Sequence, residues 1–300
     1  MSISKKIKAV SFGEVLWDVF ADGKKIGGAP LNLALRMQSL GCEAAMISAI
    51  GNDQDGEDII EYVTRKGLVT SGIITVENYP TGLVQVYVNE RGSASYEISY
   101  PSAWDKISLN AEVNNIVNAA DVLIYGSLAC RDNVSKSSLL QLLELNVYKV
   151  FDVNLRPPHY STETILQLMK KADFIKFNDE ELIEIARSLG SQTPLLEDNI
   201  EFIAHKTGVK AICVTKGKHG ATLLWNGESY NNSGYKVNVV DTVGAGDSFL
   251  ATLIMKLLAN ETPQIALNYA CAMGALVASS AGANPEISAE QIEELTLSVP

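Results

Sequence analysis

A turn of small residues precedes a carboxylate and an apolar run at residues 241–254. Gly244, Ala245 and Gly246 come directly before Asp247, and the run that follows is typical of a helix. The first N–H groups of a helix have no intrahelical partner, and the helix dipole adds partial positive charge there. The pattern therefore predicts an anion hole beside a base, which suits phosphoryl transfer to a hydroxyl. In the alternative interpretation, Asp247 only caps the helix.

A second group of residues is suited to binding the hydroxyls of a small polar ligand. Gly27 and Gly28 come just before Asn32, near the start of a predicted helix, and Asp18 lies on the extended segment before them. Glycines let backbone N–H groups approach a ligand closely. The Asn32 amide can both donate and accept hydrogen bonds, and a carboxylate can accept two from vicinal hydroxyls. Asn32 could instead satisfy the backbone at the helix start.

Polar residues also follow two predicted strands, where open α/β sheets place their ligands. Asn178 and Glu181 follow the strand at 174–177 and could hold water-coordinated Mg²⁺, although Asn178 could equally cap the next helix. Arg156 follows the strand at 147–153 and could bind a phosphate or a substrate carboxylate, or form a surface ion pair.

The segment from Thr215 to Gly220 contains glycines and lysines after a predicted strand. These residues could border the phosphates of a nucleotide, or they could form a tight hairpin turn. The chain contains no G-x-x-x-x-G-K-[ST] pattern, no G-x-G-x-x-G after the first strand and no G-x-S-x-G. These absences argue against a P-loop enzyme, a dinucleotide-binding oxidoreductase and a nucleophile-elbow hydrolase.

Apolar runs alternate with amphipathic segments along most of the chain, which predicts a parallel sheet with helices on both faces. Strands are predicted at residues 7–12, 44–50, 73–76, 122–125, 147–153, 174–177 and 211–215, with an antiparallel meander at 221–239. Helices are predicted at residues 30–40, 56–66, 133–145, 162–171, 180–189, 246–258, 263–281 and 289–297. Residues 81–100 alternate around a turn at 90–92 and could pair with 15–20, which predicts a small separate sheet.

The composition is that of a globular protein with a large core. The 300 residues are 47% hydrophobic and 20% charged, and the net charge of −11 argues against nucleic acid or an anionic membrane as the main partner. No apolar run is long enough to span a bilayer, and the first residues lack a signal-peptide pattern, so we expect a cytoplasmic protein. The four scattered cysteines and three histidines lack metal-ligand spacing.

With these motifs in view, the chain resembles the PfkB, or ribokinase-like, family of carbohydrate kinases from about residue 7 to residue 290. It carries both family signatures, at residues 27–34 and 241–249, and the first continues with Gly41 and Gly51. Four shorter stretches resemble the fructokinase branch; they lie at residues 13–18, 101–103, 125–127 and 152–157.

The resemblance implies a three-layer α/β/α fold with a mainly parallel central sheet, as one domain over residues 1–300. It also implies a small β-sheet lid built from about residues 14–28 and 79–102. The open edges of this lid could pair with a second copy of the chain and form a homodimer.

The resemblance also implies a role for each matching residue. Asp247 would be the base that accepts the hydroxyl proton, beside the anion hole of Gly244, Ala245 and Gly246. The residues implied in binding the sugar are Asp18, Gly27, Gly28, Asn32 and Arg156. Those implied in binding ATP are Asn178, Thr215, Gly217, Gly220, Gly244 and Gly246. Asn178 and Glu181 would hold Mg²⁺ through water, and Asp241 and Val243 mark the place where relatives can bind a monovalent cation such as K⁺.

The function implied is an ATP-dependent sugar kinase, most similar to fructokinase. Kinases for 2-keto-3-deoxygluconate or ribose share variants of the same pattern, and Trp17 and Trp104 are bulky departures from it that leave the sugar open. A catalytically inactive, kinase-like regulatory protein is the alternative of another class, although Asp247 and its glycines are intact.

Overall fold

The structure is a computed structural model that describes residues 6–88 and 94–297. The chain divides into two units, one formed by residues 1–123 and 129–147 and the other by residues 124–128 and 148–300. Among the described residues, no helix combines the length and the apolar character needed to cross a bilayer.

The first unit contains most of the N-terminal half. Its strands are β1 (Lys8–Phe12), β2 (Leu16–Phe20), β3 (Gly23–Gly27), β4 (Glu43–Gly51), β5 (Ile73–Val76), β6 (Gly82–Val88) and β7 (Ala94–Ile98). Its α-helices are α1 (Ala29–Ser39), α2 (Gln54–Arg65), α3 (Ala111–Asn118) and α4 (Asn133–Leu142). A short 3₁₀ helix, Ala103–Lys106, precedes α3, and strand β8 (Val122–Gly126) runs across the division between the units.

The second unit carries the remaining elements. Its strands are β9 (Tyr148–Asp152), β10 (Phe174–Asn178), β11 (Ala211–Thr215), β12 (Ala221–Trp225) and β13 (Glu228–Asn232). Its helices are α5 (Thr162–Met169), α6 (Asp179–Ser188), α7 (Leu196–Thr207), α8 (Ala245–Leu258), α9 (Pro263–Ala278) and α10 (Ala289–Leu297). A 3₁₀ turn, Gly217–His219, joins β11 to β12.

The strands described form one large sheet and one small sheet. The large sheet has nine strands in the order β13-β12-β11-β10-β9-β8-β1-β4-β5, and the small sheet has four in the order β3-β2-β6-β7. Strands β9, β10 and β11 pair in parallel, as do β1, β4 and β5, whereas β12 and β13 are antiparallel. The α/β fold class with a mostly parallel sheet and a small separate sheet is thereby confirmed.

Apolar strands form the core of each unit. In β10, Phe174, Ile175 and Phe177 are all fully buried, as expected for a parallel strand covered on both faces. In the small sheet, Leu16 and Val84 belong to a buried apolar cluster of its own. Burial of this kind stabilises the fold by about 25 cal/mol for each Å² of apolar surface removed from water.

The predicted elements agree with the observed ones at most positions, and the differences are local. Strands β5 and β11 have the predicted bounds, while the predicted strand at 228–239 ends at Asn232 and the helix predicted to end at 281 ends at Ala278. The pairing of 15–20 with the 81–100 hairpin is confirmed, because β2 pairs with β6 and β6 with β7. The predicted turn at 90–92 lies outside the described residues. Strand β3 and helices α3 and α7 were not predicted.

Candidate active site

The predicted anion hole lies at the N-terminal turn of α8, in the second unit. Gly244 precedes the helix with φ of +77°, a left-handed conformation that favours glycine. Among the three predicted residues, Ala245 donates its N–H to the Thr242 carbonyl at 3.2 Å, and Gly246 follows within the first turn. Asp247 stands in the same turn and is half-buried, so its carboxylate is not enclosed in the core. The turn can therefore present backbone and carboxylate to a ligand.

The loop before this turn is held by the Asp241 side chain. Its carboxylate accepts hydrogen bonds from the N–H of Val243 at 3.0 Å and the N–H of Gly282 at 3.2 Å. Asp241 thus ties the approach of α8 to the segment after α9. A monovalent cation at Asp241 and Val243 stays a prediction.

A buried lysine lies beside the first turn of α8. Lys176 of β10 is paired in register with Asp152 of β9, and its Nζ lies 3.1 Å from Asp152 Oδ1. Both side chains are buried, with exposed fractions of 8% and 3%. A β-carbon built on Gly246 would lie 3.7 Å from the same Nζ, so the ammonium group reaches the start of α8.

The electrostatics of this cluster are dominated by several carboxylates around one ammonium group. Burial opposes the charge of Lys176, but the fields of Asp152, Glu181 and Asp247 outweigh it and raise the pKa of Lys176 above its usual value. Burial, together with Asp152, raises the pKa of Glu181, although Lys176 opposes that shift. Lys176 therefore stays charged at neutral pH, and its ammonium group lies within the fields of three carboxylates.

Asn178 and Glu181 form a reciprocal capping box at the start of α6. The Glu181 N–H donates to Asn178 Oδ1, and the Asn178 N–H donates to Glu181 Oε2, both at 2.8 Å. Glu181 Oε1 also accepts the N–H of Leu155 at 2.9 Å. The capping interpretation of Asn178 is therefore confirmed, and Glu181 in addition holds the segment that follows β9.

The residues near this box fit Mg²⁺ held through water better than Mg²⁺ held directly. In the described part of the chain, no group of three or more His, Cys, Asp or Glu side chains is arranged to hold a metal ion. Both Glu181 oxygens already accept backbone N–H groups, whereas the buried Asp152 Oδ2 has no hydrogen-bond partner among the described residues. Magnesium usually keeps several waters and takes few carboxylates. The magnesium role of Asn178 and Glu181 stays a prediction.

The residues predicted to border the phosphates of a nucleotide form the turn between β11 and β12. The Thr215 hydroxyl donates to the Phe177 carbonyl at 3.3 Å, and the Lys216 N–H donates to the Gly220 carbonyl at 2.8 Å. Because β11 and β12 are antiparallel, the hairpin-turn interpretation is confirmed. Gly217, with φ of +54°, has nothing within 4 Å of the place where a β-carbon would lie. A role in ATP binding for these residues stays a prediction.

In the first unit, the predicted sugar-binding residues come together. Asp18 lies on β2, and a β-carbon on Gly27 would meet its carboxylate, so the Asp18 side chain would have to move to admit one. Gly28 has φ of +110°, and its carbonyl accepts the N–H of Asn32 at 2.9 Å. Asn32 is buried, with 5% exposure, whereas Asp18 is half-buried. Sugar binding by this group stays a prediction.

Arg156, the remaining predicted substrate residue, lies in the second unit. Its side chain is exposed, and its Nη1 donates to the carbonyl of the preceding Leu155 at 2.9 Å. The guanidinium group is therefore held near the end of β9, close in sequence to the segment that Glu181 fixes.

Trp104 and the neighbouring Asp105 belong to a buried cluster of the first unit. Arg131 Nε donates to Asp105 Oδ1 at 2.7 Å, and Nη2 donates to Oδ2 at 2.8 Å. The guanidinium group stacks on the Trp104 ring at 3.9 Å and donates to the Ser99 carbonyl at 2.6 Å. Asp105 Oδ2 also accepts the N–H of Ser102. This cluster holds the chain just after β7.

Sequence reasoning assigned no role to Lys176, Asp152 or Arg131. A lysine inside the otherwise apolar run Phe174–Phe177 was a signal, because a buried strand rarely contains an unpaired ammonium group. Its partner Asp152 ends the neighbouring strand, but nothing in the sequence gives the register that pairs them. The Arg131–Asp105 pair had no comparable signal.

Comparison with known proteins agrees with this architecture. Residues 3–290 match the sequence profile described as pfkB family carbohydrate kinase. The chain belongs to this family. The family indicates an ATP-dependent sugar kinase, and the resemblance of the two signatures is thereby confirmed.

Individual relatives share the family but differ in substrate. The chain is 26% identical to fructokinase-2 of Oryza sativa subsp. japonica in a 307-residue alignment that covers 93% of this chain and 90% of the relative. A crystal structure of fructokinase from Vibrio cholerae O395, in fructose, ADP and calcium ion bound form, has a TM-score of 0.82 at 24% identity and covers 97% of this chain and 99% of that one. The 2-dehydro-3-deoxygluconokinase of Thermotoga maritima has a TM-score of 0.84 at 20% identity, covering 97% and 99%. These two structures support the fold, not the substrate.

Proposed function

We propose that this protein transfers the γ-phosphoryl group of ATP to a hydroxyl of a small sugar, with fructose as the first candidate. The observation that carries the proposal is the half-buried Asp247 in the first turn of a helix whose N-terminus is bounded by glycines. In a member of a carbohydrate kinase family, a base beside backbone donors is what the reaction needs.

In the proposed reaction, the sugar hydroxyl oxygen attacks the γ-phosphorus. A new phosphorus–oxygen bond forms to the sugar, the bond to the ADP oxygen breaks, and Asp247 accepts the hydroxyl proton. Catalysis of this kind comes mainly from positioning and electrostatic stabilisation. A positioned base contributes about 10²–10⁴-fold, and one preorganised donor about 2.7–4 kcal/mol.

The other predicted residues supply binding. Asp18, Gly27, Gly28 and Asn32 would bind sugar hydroxyls, because their carboxylate, amide and close backbone offer both donors and acceptors. The residues proposed at the phosphates are Thr215, Gly217, Gly220, Gly244, Ala245 and Gly246. Mg²⁺ held through water near Asn178 and Glu181 would neutralise phosphate charge, and K⁺ near Asp241 and Val243 would steady the α8 turn.

Fructose is favoured by two of the relatives. The rice relative is named a fructokinase, and the Vibrio cholerae structure contains fructose with ADP. The second candidate is a sugar acid such as 2-keto-3-deoxygluconate, which the exposed Arg156 guanidinium could bind through its carboxylate. A carboxylate held by an arginine typically forms two parallel hydrogen bonds.

The test is sugar-dependent ADP release measured with ATP and Mg²⁺ over fructose, ribose and 2-keto-3-deoxygluconate. We expect the highest kcat/KM with fructose, and little ADP release without sugar. A higher kcat/KM with 2-keto-3-deoxygluconate would identify the sugar acid, rather than fructose, as the substrate. No ADP release with any sugar would favour the inactive regulatory protein instead.

Arg156→Met provides the matched control for the acid. If the enzyme acts on fructose and Arg156 serves only the carboxylate of a sugar acid, this variant should keep kcat/KM for fructose within about threefold. If the sugar acid is the substrate, the same change should lower its kcat/KM by at least about tenfold.

A further inference from the structure

Lys176 lies where a structural role alone would favour an apolar side chain. Its neighbours on β10, Ile175 and Phe177, are completely buried, and the Lys176 side chain is only 8% exposed. Moving an ammonium group out of water costs several kcal/mol even when it is paired, and an apolar pair of similar volume is often at least as stable. The presence of this lysine therefore calls for a reason beyond packing.

The charges around Lys176 do not form a balanced pair. Its Nζ lies 3.1 Å from Asp152 Oδ1, and the other oxygen of that carboxylate has no hydrogen-bond partner within residues 6–88 and 94–297. The fields of Glu181 and Asp247 also reach the ammonium group. The ammonium group thus contacts Asp152 of β9 and lies within the fields of carboxylates on α6 and α8.

The position of the ammonium group links it to the proposed chemistry. The 3.7 Å between Nζ and a β-carbon built on Gly246 places the charge against the residue directly before Asp247. Its positive charge adds to that of the α8 N-terminus, where the phosphoryl group is proposed to bind. A fixed charge in a water-poor site acts more strongly than the same charge in water.

We propose that Lys176 is a positioning residue for phosphoryl transfer, whose ammonium group, held by Asp152, fixes the first turn of α8 and the orientation of the Asp247 carboxylate. This inference rests on the proposed kinase function and assigns Lys176 no contact with the substrate. Asp152 acts by holding the lysine, which explains why a strand-end carboxylate is buried beside it.

The test separates positioning from simple charge neutralisation with three variants: Lys176→Met, Asp152→Asn and the two combined. Lys176→Met alone leaves Asp152 buried without a counter-charge and should shift the urea midpoint of unfolding to a clearly lower concentration. The double variant removes both charges, so its stability should return close to that of the unmodified protein. Stability is measured by urea unfolding, and kcat and KM by ADP release.

If Lys176 positions Asp247, the double variant regains stability but not turnover. We expect its kcat to stay at least about 100-fold below that of the unmodified protein, with the sugar KM within about threefold. Asp152→Asn keeps the lysine but removes the charge that holds it. Its kcat should lie between those of the unmodified protein and the double variant, about tenfold below the unmodified protein. If the other variants do not fold, Asp152→Asn still tests the proposal, because an unchanged kcat in this variant overturns it.

A double variant that regains kcat together with stability would also overturn the inference, because Lys176 would then only neutralise Asp152. That result is distinguishable from failure of the proposed function. An unmodified protein that releases no ADP with any sugar overturns both proposals, whereas active unmodified protein with an equally active double variant overturns only this one.

Discussion

Among the described residues, each unit contains an ion pair with both side chains at most 8% exposed, and the two pairs are built differently. In the first unit, Arg131 and Asp105 meet through two hydrogen bonds, Nε to Oδ1 and Nη2 to Oδ2. In the second unit, Lys176 meets Asp152 through one contact of 3.1 Å. Both Asp105 oxygens are engaged, whereas Asp152 Oδ2 has no hydrogen-bond partner in the part of the chain that the structure describes.

This difference indicates what each pair is for. A planar guanidinium fork fixes geometry, and Arg131 uses it to hold the Ser99 carbonyl and the Trp104 ring as well as Asp105. A lysine is a compact point charge, and Lys176 carries its charge to the start of α8. We therefore expect the removal of one partner from either pair to lower stability, but only changes in the second pair to lower turnover.

A large loss of stability with turnover preserved is expected from Arg131→Met. It leaves Asp105 buried without its partner, so the free energy of unfolding should fall by about 3–5 kcal/mol in urea unfolding. The kcat of the folded fraction should stay within about threefold, because the contacts of Arg131 lie at Ser99, Tyr100, Trp104 and Asp105.

The control for this variant is Arg131→Met combined with Asp105→Asn, which removes the uncompensated charge and should recover much of the stability. If Arg131→Met instead lowers kcat as strongly as it lowers stability, the division of roles between the two pairs is wrong.

The next effect concerns turnover and comes from Gly244→Ala. A β-carbon here lies 2.7 Å from Ala283 Cα at φ of +77°, so the α8 turn must shift. Displacing a donor from the phosphoryl group should lower kcat by about 10²–10³-fold. Gly208→Ala is a matched control, since Gly208 has a similar φ of +80° but open space around it, at the end of α7. Equal kcat in the two variants would show that the α8 turn does not act in catalysis.

The smallest effect should come from Asp53, which holds the start of β6. Its carboxylate caps α2 through the Gly56 N–H at 2.9 Å and accepts the Thr81 N–H at 2.8 Å and the Thr81 hydroxyl. Burial opposes ionisation, but the effect of these hydrogen bonds is larger and lowers the pKa of Asp53. Asp53→Ala should therefore lower the free energy of unfolding by about 1 kcal/mol at pH 7.

The pH dependence of this effect follows from the lowered pKa. Because the folded-state pKa lies below the unfolded value of about 3.9, the stabilisation is complete above about pH 4 and is lost as pH falls through the folded-state pKa. The difference between Asp53→Ala and the unmodified protein should thus shrink when urea unfolding is measured below about pH 4. A difference that is the same at pH 7 and in acid would contradict the role of the ionised carboxylate.

The sequence predicted those elements whose signals are local. Strand β11, an apolar run bounded by polar residues, and helix α2, with Asp53 before it, were found close to their observed bounds. Strand β3 was missed because Gly23–Gly27 is polar and mostly exposed, without the alternation of a half-buried strand. Helix α7 was missed because it follows Leu195, which offers no side-chain cap.

The same distinction applies to the candidate site. The α8 turn and the Asn178–Glu181 box lie within a few residues of sequence, so their geometry could be predicted. The contact between Lys176 and Asp152 depends on the register of two parallel strands separated by α5, which no local pattern encodes. The contact of Arg131 with Asp105 is likewise long-range.

The central claim is that Asp247 accepts the proton of the attacking hydroxyl beside the α8 N-terminus. Its most direct test is the kcat of purified, folded Asp247→Asn protein, measured by sugar-dependent ADP release with ATP and Mg²⁺. We expect kcat to fall by at least about 100-fold with an unchanged unfolding midpoint, because the amide keeps the shape of the carboxylate but cannot take the proton. A kcat within about threefold of the unmodified protein would contradict it.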